Sequence, residues 1–422
     1  MNARERVRLA INHQEPDQLP LDLSASPVSG MQVQSVYLLR QALKLDPPGT
    51  PVKVIEPYQM LGEIKPDLMD ALGVDVVGIW ARKNMFGYLN ENWKQWTTFD
   101  GTPVLVPGDF NTDLEPNGDL LMYPEGDRTA LPSGRMPAGG YYFDSIIRQP
   151  PIDDEKLDVE DNLEEFDFLS DEDLVYFTHE VNRLYTDTDK ALILNMGGTA
   201  FGDIALVPAP FLKDPRGIRD VAEWYMSTVA RSDFVYAIFE RQCEIALTNL
   251  ASLYQAVGNK IDIIFMTGTD FGTQNGPFIS PKSYRRLYQP FQKRLNDWVH
   301  ENTTWKVFIH SCGSIIKLLP DFIEAGFDIL NPVQTSATGM DPQTLKSEFG
   351  DQIVFWGGGI DTQKTLPFGT PDEVRKQVKE RIDIFGPGGG FVFNSIHNVQ
   401  AGVPVENLLA LYETFIEYRD CY

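Results

Sequence analysis

Eight short runs of β-branched and aliphatic residues recur along the chain, at 19–23, 76–80, 191–196, 261–268, 306–312, 327–332, 353–360 and 391–397. Each is bounded by turn residues and followed by a stretch with helical spacing. Most are apolar without alternation, the pattern of parallel strands buried on both faces. Eight such units in one α/β chain predict a (β/α)8 TIM-type barrel rather than an open doubly wound sheet. Helical spacing is clearest at 221–256, 281–302 and 371–385, the second opened by Ser280-Pro281.

The interval between the second and third runs differs in kind. Asp100-Gly101, Asn117-Gly118, Glu125-Gly126 and Gly139-Gly140 punctuate short apolar stretches there, which are hairpin signals. An inserted β-rich meander subdomain is expected, placed beside the barrel mouth because loops after barrel strands emerge on the catalytic face. The predicted organisation is residues 1–92 as the first part of the barrel, 93–150 as the meander, 151–175 as an acidic connector and 176–422 as the remaining barrel. Within the connector, 153–173 holds twelve acidic residues and one lysine, and it reads as a solvated segment.

The formal charge of −24 argues against nucleic acid and anionic membranes as partners, both of which need a basic face. No run approaches the roughly 18–20 apolar residues of a membrane helix, and no export signal is readable at the start. Three scattered cysteines, Cys243, Cys312 and Cys421, do not make a disulfide framework. The expected compartment is the cytoplasm.

In a barrel, catalytic residues sit at the C-terminal ends of strands. The polar residues there are Asp22, Asn195, Asp270, His310, Cys312, Asn331, Gln334, Asp361 and His397. A strand period of two puts His310 and Cys312 on one side of the sheet, where an imidazole and a thiolate could share a metal. A catalytic zinc takes three protein ligands, so a third donor is needed, and His397 is the choice, with Asp270 and Asp361 competing. The other reading of this pair is a buried thiol beside a hydrogen-bonded histidine. Asp270 either orients or protonates substrate at the mouth or anchors a turn. Gly357-Gly358-Gly359 either lets a ligand approach the backbone or makes a tight turn.

Thr269-Asp270-Phe-Gly-Thr-Gln274-Asn-Gly-Pro277-Phe-Ile-Ser280-Pro281 resembles the Asp-x-x-Gly…Gly-Pro-x-x-Ser-Pro segment of the uroporphyrinogen decarboxylase superfamily. Phe355-Trp-Gly-Gly-Gly-Ile360-Asp361, His397…Val403-Pro404-x-Glu406-Asn407 and Asn12-His-Gln-Glu-Pro16-Asp-Gln-Leu-Pro20 are similar to its closing and opening segments. The resemblance covers roughly 1–80 and 190–422 and leaves the meander outside.

The resemblance implies one of two chemistries. One is zinc-dependent methyl transfer to a thiol, from a corrinoid protein or a small methylated donor; its zinc ligands include a His-x-Cys, which His310-Ser-Cys312 matches, while His397 stands where a later cysteine is absent. The other is cofactor-free decarboxylation of a tetrapyrrole, in which an aspartate holds pyrrole N–H groups and arginines hold carboxylates. That branch fits less well: its arginine-rich loop is replaced by Asp22-Leu-Ser-Ala-Ser-Pro-Val, and Arg40-Gln41-Ala42 is a partial echo within a helix. The methyltransferase is therefore the expected function, with His310, Cys312 and His397 on zinc, Asp270 and His397 catalytic, and Asp22, Gln274, Asn331, Gln334 and Asp361 contacting substrate. A decarboxylase without cofactor and a small-ligand-binding barrel without turnover are the alternatives. The resemblance also implies a homodimer.

Overall fold

The structure is a computed structural model and describes residues 1–420; Cys421 lies outside the described residues. Seven parallel strands form one curled sheet in the order Phe391–Val392, Val354–Trp356, Ile329–Asn331, Lys306–His310, Ile263–Thr267, Ala191–Leu194, Val76–Ile79. The eighth position is taken by Leu21. It bridges Phe393 in parallel on one side, and its carbonyl accepts the Asp75 N–H at 2.8 Å on the other. The segment 19–23, expected as a full strand, thus closes the barrel through a single residue pair, because the loop it enters is pinned by side chains rather than by a ladder.

Two hydrophobic cores follow from strands apolar on both faces. Phe308, Ile329, Val354, Trp356 and Ile263 fill the barrel interior, with Phe308 5.3 Å from Phe265 and 5.6 Å from Trp356 between ring centroids. Val307 and Ile309 point the other way, into the larger core under the helices. Each such side chain buried contributes roughly 1.5–3 kcal/mol. The expected helix at 371–385 forms unbroken as Pro371–Phe385, and the other two form with one break each. Arg231 separates Val221–Ala230 from Ser232–Val257, and Pro290 opens a new helix, Gln289–Asn302, after Pro281–Leu287. No helix among the described residues is long and apolar enough to cross a membrane.

The β-rich addition has two layers. Thr112–Leu114, Leu120–Met122, Gly134–Met136 and Asp144–Ser145 form an antiparallel meander. The second sheet runs Leu61–Gly62, Val52–Glu56, Pro103–Val106, Lys94–Thr97, and so recruits a segment that precedes the hairpin-rich interval. Phe143 locks the layers together, 5.6 Å from Phe86 and 6.0 Å from Phe110.

The acidic stretch keeps most of its carboxylates exposed and is anchored to the rest of the protein at a few points. Arg219, 1% exposed, makes a two-pronged contact with Glu165 at 2.9 and 3.0 Å, and Arg216 and Arg231 hold Glu164 and Asp154. Planar guanidinium groups suit this arrangement, and they lie about 50–75 residues further along the chain, beyond the reach of any local reading.

Candidate metal centre

The strand Lys306–His310 delivers the His310 ring to the rim, 3% exposed, and its neighbour in register is Asn331. Asn331 Nδ2 donates to the Trp356 carbonyl at 2.9 Å, which leaves Oδ1 to accept from His310 Nδ1–H at 2.6 Å. His310 Nε2 is then a lone pair, and Cys312 Sγ lies 3.3 Å from it. Cys312 is positioned by its backbone: its N–H donates to Asp270 Oδ1 at 2.6 Å, and the N–H of Gly313 donates to Gln334 Oε1 at 2.7 Å. Gly313 has φ +87°, and a Cβ there would meet the Gly272 backbone at 2.5 Å, so only glycine allows the Asp270 loop to lie directly on this turn.

His397 lies in the loop beyond the last strand, not within it. That loop carries its ring to 5.3 Å from the His310 ring, nearly perpendicular. His310, Cys312 and His397 each offer one ligand atom, and these atoms all lie within 4.8 Å of one another. The β-rich addition supports this position. Buried Glu56 accepts the Tyr58 and Gln59 N–H groups, and Asn398 donates its side-chain amide to Gln59 Oε1 at 2.7 Å and to the Pro27 carbonyl at 2.9 Å. The backbone N–H of Asn398 in turn donates to His397 Nδ1 at 2.8 Å.

Burial governs the electrostatics. It lowers His310 to about 4 against the hydrogen bond that its ring donates to Asn331, and lowers His397 to about 4, with the charge of His310 adding and that of Asp270 opposing. Both imidazoles are therefore neutral at pH 7, the form that ligates metals. Burial also pushes the Cys312 thiol well above its usual range, with the Asp270 carboxylate adding, and raises Asp270 itself against the Cys312 N–H and His397. No lysine or arginine among the described residues figures in the surroundings of these four groups.

A soft thiolate with two neutral imidazoles is a donor set that suits zinc. The fit at His310 is complete, because its second nitrogen is already satisfied by Asn331, the outer-sphere contact that orients ligating histidines. The fit at His397 carries a cost. Ligation through either ring nitrogen of the neutral imidazole gives up the hydrogen bond from Asn398, on the order of 1 kcal/mol. Asp270 Oδ1, 3.8 Å from His310 Nε2, is the other oxygen or nitrogen donor at this position.

The remaining expected residues are dispersed. Asn331 and Gln334 are buried supports of His310 and of the Cys312 turn. Asp22 accepts from the Ala25 N–H at 3.0 Å and from Trp356 Nε1 at 2.9 Å, at the barrel's centre, and burial raises it to about 6. Asp361 accepts the Gln363 and Lys364 N–H groups and serves its own turn. Gln274 is exposed, with its carbonyl taken by Thr338 N–H. The Gly357–Gly359 run is explained by packing, since a Cβ on Gly359 would lie 2.4 Å from the Phe393 ring. Arg40 is fully buried between Asp46 and Asp67 in its helix.

Two groups at the mouth went unread in the sequence. Asp203, after strand Ala191–Leu194, lies against Gly268, close enough that a Cβ there would meet Oδ2 at 2.9 Å; burial raises it to about 7, with Asp270 adding. Tyr225 donates its hydroxyl to the Asp270 carbonyl at 3.3 Å and stacks on Phe278, 5.1 Å between centroids. Neither lies in a periodic segment with a chemical signature, and both meet Asp270 only in three dimensions.

A family model described as Uroporphyrinogen decarboxylase (URO-D) matches residues 216–418. Among curated proteins, a uroporphyrinogen decarboxylase of Geotalea daltonii is 22% identical over 245 residues, 58% of this chain and 65% of that protein. One of Psychromonas ingrahamii is 32% identical over 137 residues, 31% of this chain and 36% of that protein. The chain thus spans less than two thirds of the length of the curated relatives it matches. A solved methyltransferase from Methanosarcina mazei shares the fold, with a TM-score of 0.54 at 13% identity over 99% of both chains.

Proposed function

Because this chain belongs to the uroporphyrinogen decarboxylase superfamily, we propose that it is a zinc-dependent methyltransferase which moves a methyl group from a corrinoid protein or a small methylated donor to a thiol. The observation that carries this reading is the convergence of His310, Cys312 and His397 at one point of the barrel mouth. Zinc held there supplies Lewis acidity that lowers the pKa of an acceptor thiol, so that the thiolate is available near neutral pH. The chain's own residues do the rest. Asn331 fixes the His310 tautomer, Asp270 and Gln334 hold the Cys312 turn by its N–H groups, and the low exposure of His310 keeps water from its ring.

Decarboxylation of a tetrapyrrole is the second reading, favoured by the names of the curated relatives. It needs cationic partners for substrate carboxylates, because an unpaired buried carboxylate costs several kcal/mol. Arg40, the one arginine resembling that branch, is already committed to two aspartates. The two readings separate in one comparison. Zinc-loaded protein is given a methylated corrinoid donor with a panel of thiols, and separately a porphyrinogen octacarboxylate. Thioether formation supports the proposal; partially decarboxylated porphyrinogen without thioether overturns it.

A further inference from the structure

The β-rich addition holds a cavity of about 220 Å³ that the account above does not use. Both of its layers line it: Trp96 comes from Lys94–Thr97 in one sheet, and the register partners Leu120 and Met136 come from the meander. Two of the turns read from the sequence, Asn117-Gly118 and Gly139-Gly140, contribute glycines to its wall. Gly139 has φ +74°, and a Cβ there would meet nothing within 4 Å, so no side chain covers this edge. On the barrel side, Gln32 donates its side-chain amide to the Tyr141 carbonyl at 3.4 Å and its backbone N–H to the Val399 carbonyl at 2.8 Å.

Three aromatic side chains, Trp96, Phe99 and Tyr141, line this space. Phe99 meets Tyr141 edge to face with 4.7 Å between centroids, and Trp96 makes a similar contact with Phe110 at 5.3 Å. Phe99 is 55% exposed and Leu114 is 71% exposed, so large apolar groups of the wall are left facing water. No charged side chain among the described residues lines the cavity, although the chain carries a net charge of −24. Asp100, next to Phe99, is engaged by the Thr98 hydroxyl and the Gln34 amide. An apolar void forfeits dispersion contacts that an occupant restores, and roughly 150 Å³ is enough for a benzene ring. This cavity therefore has room for one ring with a small substituent. Uncharged walls select a neutral molecule, because a charge moved there would lose its hydration without gaining a partner. Rings on the wall favour an aromatic occupant over a saturated one, through edge-to-face and offset contacts.

We propose that the β-rich addition is a binding site for a neutral, single-ring aromatic molecule, held in this cavity among Trp96, Phe99 and Tyr141. The site is distinct from the metal centre, since none of His310, Cys312, His397 and Asp270 lines it. It goes beyond the methyl-transfer reading and does not rest on it. Binding is non-covalent, and its selectivity comes from size, neutrality and ring contacts rather than from an ion pair.

The test uses the full chain and three probes of similar size measured by calorimetry: p-cresol, its saturated counterpart 4-methylcyclohexanol, and its anionic counterpart 4-methylbenzoate. p-Cresol is expected to bind roughly tenfold or more tightly than either of the others. Its affinity should fall several-fold in Phe99→Ala and be lost in Leu120→Trp, whose larger side chain fills the space. Phe99 is exposed enough that its variant keeps the question answerable if Leu120→Trp does not fold. Absence of p-cresol binding at millimolar concentration, equal affinities for the three probes, or an affinity unchanged in Phe99→Ala overturns the proposal. A wild-type dimer that dissociates in Phe99→Ala, with no binding of p-cresol, assigns the cavity to a second copy of the chain and overturns it as well.

Discussion

His310 and Asn331 are register partners on adjacent barrel strands, and Nδ1 of one lies 2.6 Å from Oδ1 of the other. That contact decides which ring nitrogen faces Cys312. Replacing Asn331 by alanine frees the tautomer and leaves the Trp356 carbonyl without its donor. Zinc affinity is expected to fall about 10–100-fold, read by competition with a chromophoric chelator. An unchanged affinity would mean that the ring is held by other means.

Zinc binding should release protons in a defined number. Both imidazoles are neutral at pH 7 and Cys312 is protonated without metal. Calorimetry in buffers of different ionisation enthalpy is expected to show about one proton released per zinc near pH 7. Cys312→Ser should remove that release. A release near zero in the wild type would place the metal elsewhere.

The three ligands should not contribute equally. His397 gives up the Asn398 hydrogen bond on binding, whereas His310 gives up nothing to its outer partner. His397→Ala is expected to weaken zinc by a smaller factor than Cys312→Ser or His310→Ala, measured by the same chelator competition. Equal losses would show that the cost at His397 is recovered by relaxation.

Glu56 gives a pH dependence outside the metal site. Burial raises it to about 7 from an unfolded value near 4.5, against two backbone N–H donors. The folded state therefore binds more protons between these values, so Glu56 costs stability as pH rises through that window. Relative to wild type, Glu56→Gln should gain on the order of 3 kcal/mol between pH 4.5 and 7 and stay level above it, by urea denaturation at each pH. A constant difference across the window would contradict the raised value.

Arg219→Ala removes a fully buried guanidinium and strands Glu165. The expected loss is roughly 3–5 kcal/mol in denaturation, together with faster proteolysis within 153–173. A loss under about 1 kcal/mol would mean that the acidic stretch is held by packing instead.

Continuous apolar runs made the barrel legible, because strands such as Ala191–Leu194 are buried on both faces and carry no competing periodicity. His310 and Cys312 do come together, at 3.3 Å, but strand periodicity is not the reason: the strand ends at His310, and Cys312 is held by the turn that Asp270 and Gln334 fix. Residues 19–23 were over-read: they have a strand's composition, but Asp22 and Ala25 turn the chain into side-chain contacts after one bridge. Val52–Glu56 escaped because its alternating Val-Lys-Val-Ile-Glu is half-buried and ends at a proline. Asp203, Tyr225 and the anchoring of 153–173 to Arg216 and Arg219 depend on partners about 45–65 residues distant, which no local pattern encodes.

The central claim is that one zinc sits on His310, Cys312 and His397. The direct measurement is elemental analysis of untagged wild-type protein and Cys312→Ser after identical growth and dialysis. The account predicts about one zinc per chain in the wild type and near none in the variant. Wild-type protein that stays free of zinc, or a variant that retains a full complement, would contradict it.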